Sequence, residues 1–480
     1  MPRCLTGFLV ILSLTVAGLH ADPVRLQLSE CLKLAEQQNY DIKSAQSDIK
    51  AEEGKAQAVR SMFFPQLSLT AVATSHRIRY ADFLEQDYDN LRTIPGSLGQ
   101  LLVSMAPEES RAMLGQEIQR LMGGLEMPED IPDRIDHLQT SLMLTQPIFT
   151  GLRLTNSYRA VQQTRQAAIH RHTEKKVELT YQVTQSFYQA LLMNHVVEIH
   201  RMALESGNRH LSIIESMYKE GLASEWEYMK AQVNVRGLTP DLIEAEKNRD
   251  LVLSKLKLLM GMDQEQALEL LGEFVPAEFP NMTDPDSLYR LAEQNRPDLE
   301  YIRARKSAGR YQIKAARGEY LPTIGAFASY TWRGIKTDEM PGSSDFSRIG
   351  SLGLSLQWEF LTFGRHHGKL IQAKADYAKA ENSELKIINA IHIQIRDAVK
   401  SLEYARQALM TQQDAVSLAE KSNQIAEIAF TNGEARQIDV LDAQLDLKTA
   451  RIKWYQAVYN SITAQLDYRQ SIGQLTPSTL

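Results

Sequence analysis

Two periods alternate along the chain. Residues 29–62 carry a helical pattern of apolar positions, with Ser29 as its candidate cap. After Pro65 the period drops to two. Leu67, Leu69, Ala71 and Ala73 share one face against Ser68, Thr70, Val72 and Thr74, and a short return strand is expected around Ser141 to Gln146. The same switch recurs later. Ala326, Ala328, Tyr330 and Trp332 oppose Phe327, Ser329 and Thr331. Between Ser351 and Trp358, Leu352, Leu354, Leu356 and Trp358 oppose Ser351, Gly353, Ser355 and Gln357. Each strand pair leads into an incoming helical stretch of about 65 residues, roughly 100 Å at 1.5 Å per residue. An outgoing helix of nearly 40 follows.

The recurrence is a duplication. LAEQQNYDI (Leu34 to Ile42) matches LAEQNRPDL (Leu291 to Leu299) at an offset of 257, which holds to Pro65 and Pro322. QPIFTGLR (Gln146 to Arg153) matches WEFLTFGR (Trp358 to Arg365) at an offset of 212, which runs without a gap to Gly261 and Gly473. The difference is a 45-residue insertion between the first two strands, within His76 to Leu138. It holds an amphipathic stretch, Met105 to Met122, and a Pro- and Asp-rich stretch near Met127 to Arg134. The later connection, Gly334 to Gly350, is far shorter. The expected organisation is residues 1–21 as a leader, 22–261 as the first repeat, 262–283 as a connector, 284–473 as the second repeat and 474–480 as a tail.

Each repeat reverses once between its long helices. In FTNGEARQIDVLDAQ (Phe430 to Gln444), Asn432 and Gly433 are residues able to close a helix in the left-handed conformation, and Asp439 and Asp442 sit three apart on the outgoing helix. MYKEGLASEWEYMKAQ (Met217 to Gln232) is the partner turn, with Gly221 matching Gly433. Gly237 and Pro240 predict a kink or break in the first outgoing helix. The last helix carries two heptad seams: Ile438, Leu445, Ile452, Tyr459 and Leu466, and Ala443, Ala450, Ala457 and Ala464. Two seams suit a helix with a neighbour on each side, in a ring or in a bundle.

The N-terminus changes the compartment. Arg3 precedes an apolar run from Leu5 to Val16, which reads as a secretory signal cut after Ala21. No later stretch is apolar for a spanning length, so a membrane crossing has to be a β-barrel. Four strands cannot close one, and open edges are not tolerated in lipid, so the barrel reading requires an oligomer. Charge is nearly balanced, 53 basic against 59 acidic residues, which gives no support for nucleic-acid binding. Of the two cysteines, Cys4 leaves with the leader, and Cys31 is expected as a small buried apolar residue.

No nucleotide-binding glycine loop, zinc-protease motif or paired cysteines occur, and no cofactor or enzymatic activity is expected. His366 with His367, His170 with His172, and His195 with His200 are expected to be solvated helix histidines.

The duplicated order of helix, hairpin, long helix, reversal and helix resembles the TolC-type outer-membrane efflux proteins. The residues that carry the likeness are LAEQQNYD and LAEQNRPD, QPIF, the FGR of Phe363 to Arg365 and FTNGEARQIDVLDAQ. The likeness spans Asp22 to Gly473. It implies a mainly α fold with a membrane β-barrel portion: a homotrimeric 12-strand barrel in outer-membrane lipid and an α-helical periplasmic tunnel. The implied function is the exit duct of a tripartite efflux or type I secretion system, without cofactor. The implied partners are a periplasmic adaptor and an inner-membrane pump or secretion ATPase. The resemblance also places the turns at the periplasmic entrance. Asp439 and Asp442 match its acidic pair and Glu227 an acid of the first turn, giving nine carboxylates in three chains. Gly221 and Gly433 match adaptor-facing turn glycines. Phe430 stands where a gating tyrosine is common and Ala435 where an arginine is, with Arg436 as the candidate substitute. The alternative is a periplasmic coiled-coil scaffold or adaptor that never enters the membrane.

Overall fold

A computed structural model describes residues 24–77, 97–123, 134–280 and 284–476. The expected leader, the stretch from Met127 to Pro132 and the end of the tail lie outside the described residues. The elements are β1 (Val24–Leu26), α1 (Leu28–Gln38), α2 (Tyr40–Ser61), β2 (Gln66–Arg77), β3 (Arg134–Phe149), α3 (Arg153–Lys219), α4 (Glu225–Met260), β4 (Leu268–Leu270), α5 (Pro285–Asn295), α6 (Pro297–Gly318), β5 (Thr323–Thr337), β6 (Phe346–Gln357), α7 (Arg365–Thr431) and α8 (Gln437–Ser471). Shorter helices at 97–105 and Arg111–Gly123 fall within the insertion. Among the described residues, no helix is long and apolar enough to cross a membrane.

The chain packs into two compact units, each drawing on both repeats. One unit, residues 57–158 and 312–371, is built on an antiparallel sheet in the order β2-β3-β5-β6. Its register sorts the faces. Leu67, Leu144, Ala328 and Leu352 form one cross-strand row, and Leu69, Leu142 and Tyr330 lie in the next. On the other face Ser68 aligns with Met143, Ser329 and Ser351, and Ser141 Oγ lies 3.0 Å from Thr331 Oγ1. Among the described residues nothing covers the apolar face: Leu352 is 86% exposed, and Leu67, Leu69, Leu354 and Leu356 are also exposed. Among the described residues β2 and β6 are sheet edges, each with one partner.

The strands are longer than the alternation predicts. β3 covers 16 residues, well beyond Ser141 to Gln146, and β5 and β6 run into the expected loop and leave only 338–345 between them. Ladder hydrogen bonds extend past the point where the two-residue pattern fades.

The other unit, residues 24–56, 159–311 and 372–476 among those described, is helical. One apolar cluster gathers Cys31, Phe187, Leu192, Leu256, Met260 and Val458, and a second gathers Leu299, Ile391, Ile395 and Leu402. Cys31 is fully buried, and burial pushes its thiol up to about 12. Ala443, Ala450, Ala457 and Ala464 are buried along α8, whereas Leu445 of the larger seam is exposed.

Several expectations need correction. The helix expected over 29–62 is two helices, and Ser29 is not its cap, because Gln27 precedes the first turn. Asn39 divides them. Its Oδ1 accepts from the backbone N–H of Asp41 (2.8 Å) and Ile42 (3.2 Å), and its Nδ2 donates to the Leu259 carbonyl (2.9 Å). In the second repeat the matching division falls at Arg296, extended ahead of Pro297. α4 runs through Gly237 and Pro240 as one continuous helix, so of the expected kink or break the break does not occur. Within the stretch expected as a connector, β4 pairs in parallel with β1, and Phe274 enters the first cluster. Three-residue strands are too short to leave a period.

Candidate entrance site

The two reversals are built alike. Gly221 and Gly433 adopt φ of 75° and 74°, which costs an L-residue about 1–2 kcal/mol and glycine nothing. Leu222 N–H donates to the Met217 carbonyl (2.7 Å) and Gly221 N–H to Tyr218 (3.0 Å). Glu434 N–H donates to Ala429 (2.8 Å) and Gly433 N–H to Phe430 (3.0 Å). Each is the paired closure that ends a helix on a left-handed residue. Asn432 N–H donates to the Ile428 carbonyl, still within the closing turn. A Cβ at either glycine meets open space.

The outgoing helices start on equivalent acids. Ser224 caps α4: its Oγ accepts from Glu227 N–H (3.2 Å), and Glu227 Oε2 accepts from Ser224 N–H (2.7 Å). In α8, Asp439 Oδ2 accepts from Arg436 N–H (2.9 Å), and the Arg436 guanidinium donates to Asp439 Oδ1 (3.1 Å). Hydrogen bonds from the Arg436 side chain and backbone hold the Asp439 carboxyl below its usual range, and those from the Ser224 backbone and hydroxyl do the same for Glu227. Two of the three acids singled out by sequence therefore hold helix starts, while Asp442 is exposed beyond the first turn. Arg436 is spent on its own Asp439, with its side chain 82% exposed.

Three residues here carry no readable signal in the sequence. Gln437 is buried, and its Nε2 donates to the Glu227 carbonyl (3.2 Å), joining the two turns within one chain. His210 is buried against Phe430 with ring centroids 5.3 Å apart, and burial lowers its pKa. Lys448, from the next turns of α8, pairs with Asp241 at 3.2 Å. The Ser224–Glu227 spacing nearby is readable, as a capping box. A cleft of about 830 Å3 opens among α3, α4, α7 and α8, with Asp442, Asp241, Lys448 and Arg451 on its walls. Among the described residues, no cluster of side chains is suited to hold a metal ion.

Comparison with known proteins agrees with this architecture. The sequence model of the family described as "Outer membrane efflux protein" matches residues 131–262 and 288–474. The outer membrane protein TolC of Escherichia coli is 22% identical over 352 residues, 71% of this chain and 70% of its own length. The alkaline protease secretion protein AprF of Pseudomonas aeruginosa is 22% identical over 356 residues, covering 72% and 71%. Among solved structures, the CmeC outer membrane channel of Campylobacter jejuni superposes with a TM-score of 0.73 at 16% identity, covering 94% of this chain and 86% of that one. VceC of Vibrio cholerae does so with 0.70 at 17%, covering 93% and 96%. With the family's sequence pattern matched over both repeats and the fold of its channels shared, the chain belongs to the outer membrane efflux protein family and is a TolC-type outer-membrane channel.

Proposed function

We propose that three copies of this chain close one 12-strand barrel and one helical tunnel. The assembly passively conducts cargo handed over by an inner-membrane pump or secretion ATPase through a periplasmic adaptor. The observation that carries this reading is the sheet: one uncovered apolar face, one more polar face and two unpaired edges. Lipid accepts such a sheet only when its edges are closed, and one chain supplies four strands. A periplasmic scaffold outside the membrane would leave the same leucines in water.

The helices support the same partner. On α7, Leu385, Ile393, Tyr404, Met410, Leu418 and Ile425 are exposed and fall within about a third of the circumference at 3.6 residues per turn. On α4, Trp226, Met229, Val233, Ile243, Leu251 and Leu258 form a similar exposed arc. Uncovered stripes this long mark surfaces for another copy. Replacing Leu385 and Leu418 together by Glu is expected to convert the detergent-purified trimer to monomer with helical circular dichroism retained. A trimer that survives contradicts the assignment of this stripe.

The repeats over 22–261 and 284–473 then supply one turn each to the entrance, six in three chains. Gly221 and Gly433 meet the adaptor, Glu227, Asp439 and Asp442 line the opening, and Phe430 with His210 packs beside it as the gate candidate. A side chain at either glycine meets the left-handed backbone cost of about 1–2 kcal/mol but no neighbouring atom, so Gly221→Leu with Gly433→Leu is expected to weaken the turns while leaving the trimer intact, and to abolish adaptor-dependent export. Loss of the trimer would instead make these glycines folding determinants. The relatives' names include protease secretion and cobalt-zinc-cadmium resistance, so the shared element is the duct and not the cargo.

A further inference from the structure

The starts of the two long helices carry the wrong charge. A helix N-terminus presents unpaired N–H groups and favours acidic side chains. α3 and α7 have no acid in their first turns. They begin instead with Arg153 and with Arg365-His366-His367. Both are reached through two left-handed residues, Gly151-Leu152 and Phe363-Gly364. Gly151 sits against Gly318 so closely that a Cβ on either would lie 2.4 or 2.5 Å from the other's carbonyl oxygen.

Between these starts lies a cavity of about 200 Å3, walled by Arg153, Arg365, Lys369, His366, Glu319 and Glu359. Three permanent cations meet two carboxylates there. Lys369 Nζ donates to Glu319 at 2.9 Å, and Arg365 pairs with Glu359. Arg153 lines the same space, and among the described residues no carboxylate pairs with it. His366, expected as a solvated histidine, is only 6% exposed. Its Nδ1 lies 3.2 Å from Glu319 Oε2, while its buried Nε2 has no hydrogen-bond partner and is 3.8 Å from Glu359 Oε2. An anion would satisfy both leftovers. It would take the Arg153 guanidinium and accept a hydrogen bond from His366 Nε2, the ring nitrogen left without a partner.

We propose that this cavity is a phosphate-binding site. Phosphate fits the volume, the forked guanidinium and the helix N-termini. The neighbouring surface points to one source. Trp358, Phe360 and Phe363 are exposed beside the site, and the Trp358 indole donates to the Tyr320 carbonyl at 3.1 Å. Amphipathic rings such as that of Trp358 sit at the headgroup level of a bilayer. The phosphate is then that of a phospholipid headgroup held where the strands give way to helices. The lipid source rests on the outer-membrane placement; the phosphate site itself does not.

The test uses the full chain purified in phosphate-free detergent, with two probes. Native mass spectrometry counts phosphatidylglycerol retained per chain, and calorimetry follows titration with inorganic phosphate. The expected result is one phosphatidylglycerol per chain, reduced about tenfold in Arg153→Gln and unchanged in Arg348→Gln, a control on the exposed strand β6. Inorganic phosphate bound with the same dependence on Arg153 supports the site with a free anion as its source. Retention that ignores Arg153→Gln, or falls equally in both variants, overturns the proposal.

Discussion

Phe187→Ala is expected to destabilise the helical unit by about 3–5 kcal/mol, the usual cost of deleting a buried aromatic ring. Phe187 is 1% exposed on α3, and its ring lies edge-on to Tyr188 at 5.5 Å. The space beside it is filled: a Cβ on Gly272 would lie 3.2 Å from its ring carbons. The residues around it, among them Cys31, Leu256 and Val458, come from α1, α4 and α8. No single element can relax into the void, so most of the cavity persists. Chemical denaturation in detergent, followed by far-ultraviolet circular dichroism, reads the effect as a lower midpoint. Tyr40→Ala, at an exposed position on α2 outside both proposed interface stripes, is the control and should leave the midpoint nearly unchanged. Equal midpoints for wild type and Phe187→Ala would show that this cluster does not hold the unit together.

Asp439→Asn combined with Asp442→Asn should lower cation-over-anion selectivity in planar bilayers several-fold. The pair supplies six of the nine carboxylates proposed for the entrance, and rings of like charge set selectivity in narrow pores. The two positions differ in kind. Asp439 holds the start of α8 and the Arg436 guanidinium, whereas Asp442 is exposed beyond the first turn. Asp439→Asn alone should loosen the turn, and Asp442→Asn alone should change permeation without touching the fold. The sign of the pH effect follows from the lowered Asp439 and Glu227 carboxyls. Their contribution is present above the ordinary carboxylate value near 4 and is lost as pH falls through the lowered folded value. Selectivity should therefore persist to mildly acidic pH. Selectivity that is indifferent to both substitutions would leave Glu227 and Asp439 as helix caps only.

The features legible in the sequence are those written locally. A glycine at each helix end marks both reversals, the heptads mark a helix with neighbours, and two-residue alternation marks the sheet faces. The features that escape depend on partners distant in the chain. Asn39 divides a helix partly through a bond to Leu259, β1 needs β4 more than two hundred residues away, and Gln437 reads as an ordinary helix residue until Glu227 is beside it. His366 reads as solvated because its sequence neighbours are polar; Glu319 and Glu359 cover it from other segments. Pro240 overstates the local cost, because a 36-residue helix continues past the one hydrogen bond that proline removes.

The most direct test of the account is the mass of the full chain in solution. Extracted from membranes and sedimented in density-matched detergent, it should run as three copies. A monomer that stays soluble after the detergent is removed would contradict a barrel whose apolar face and open edges require lipid and two further chains.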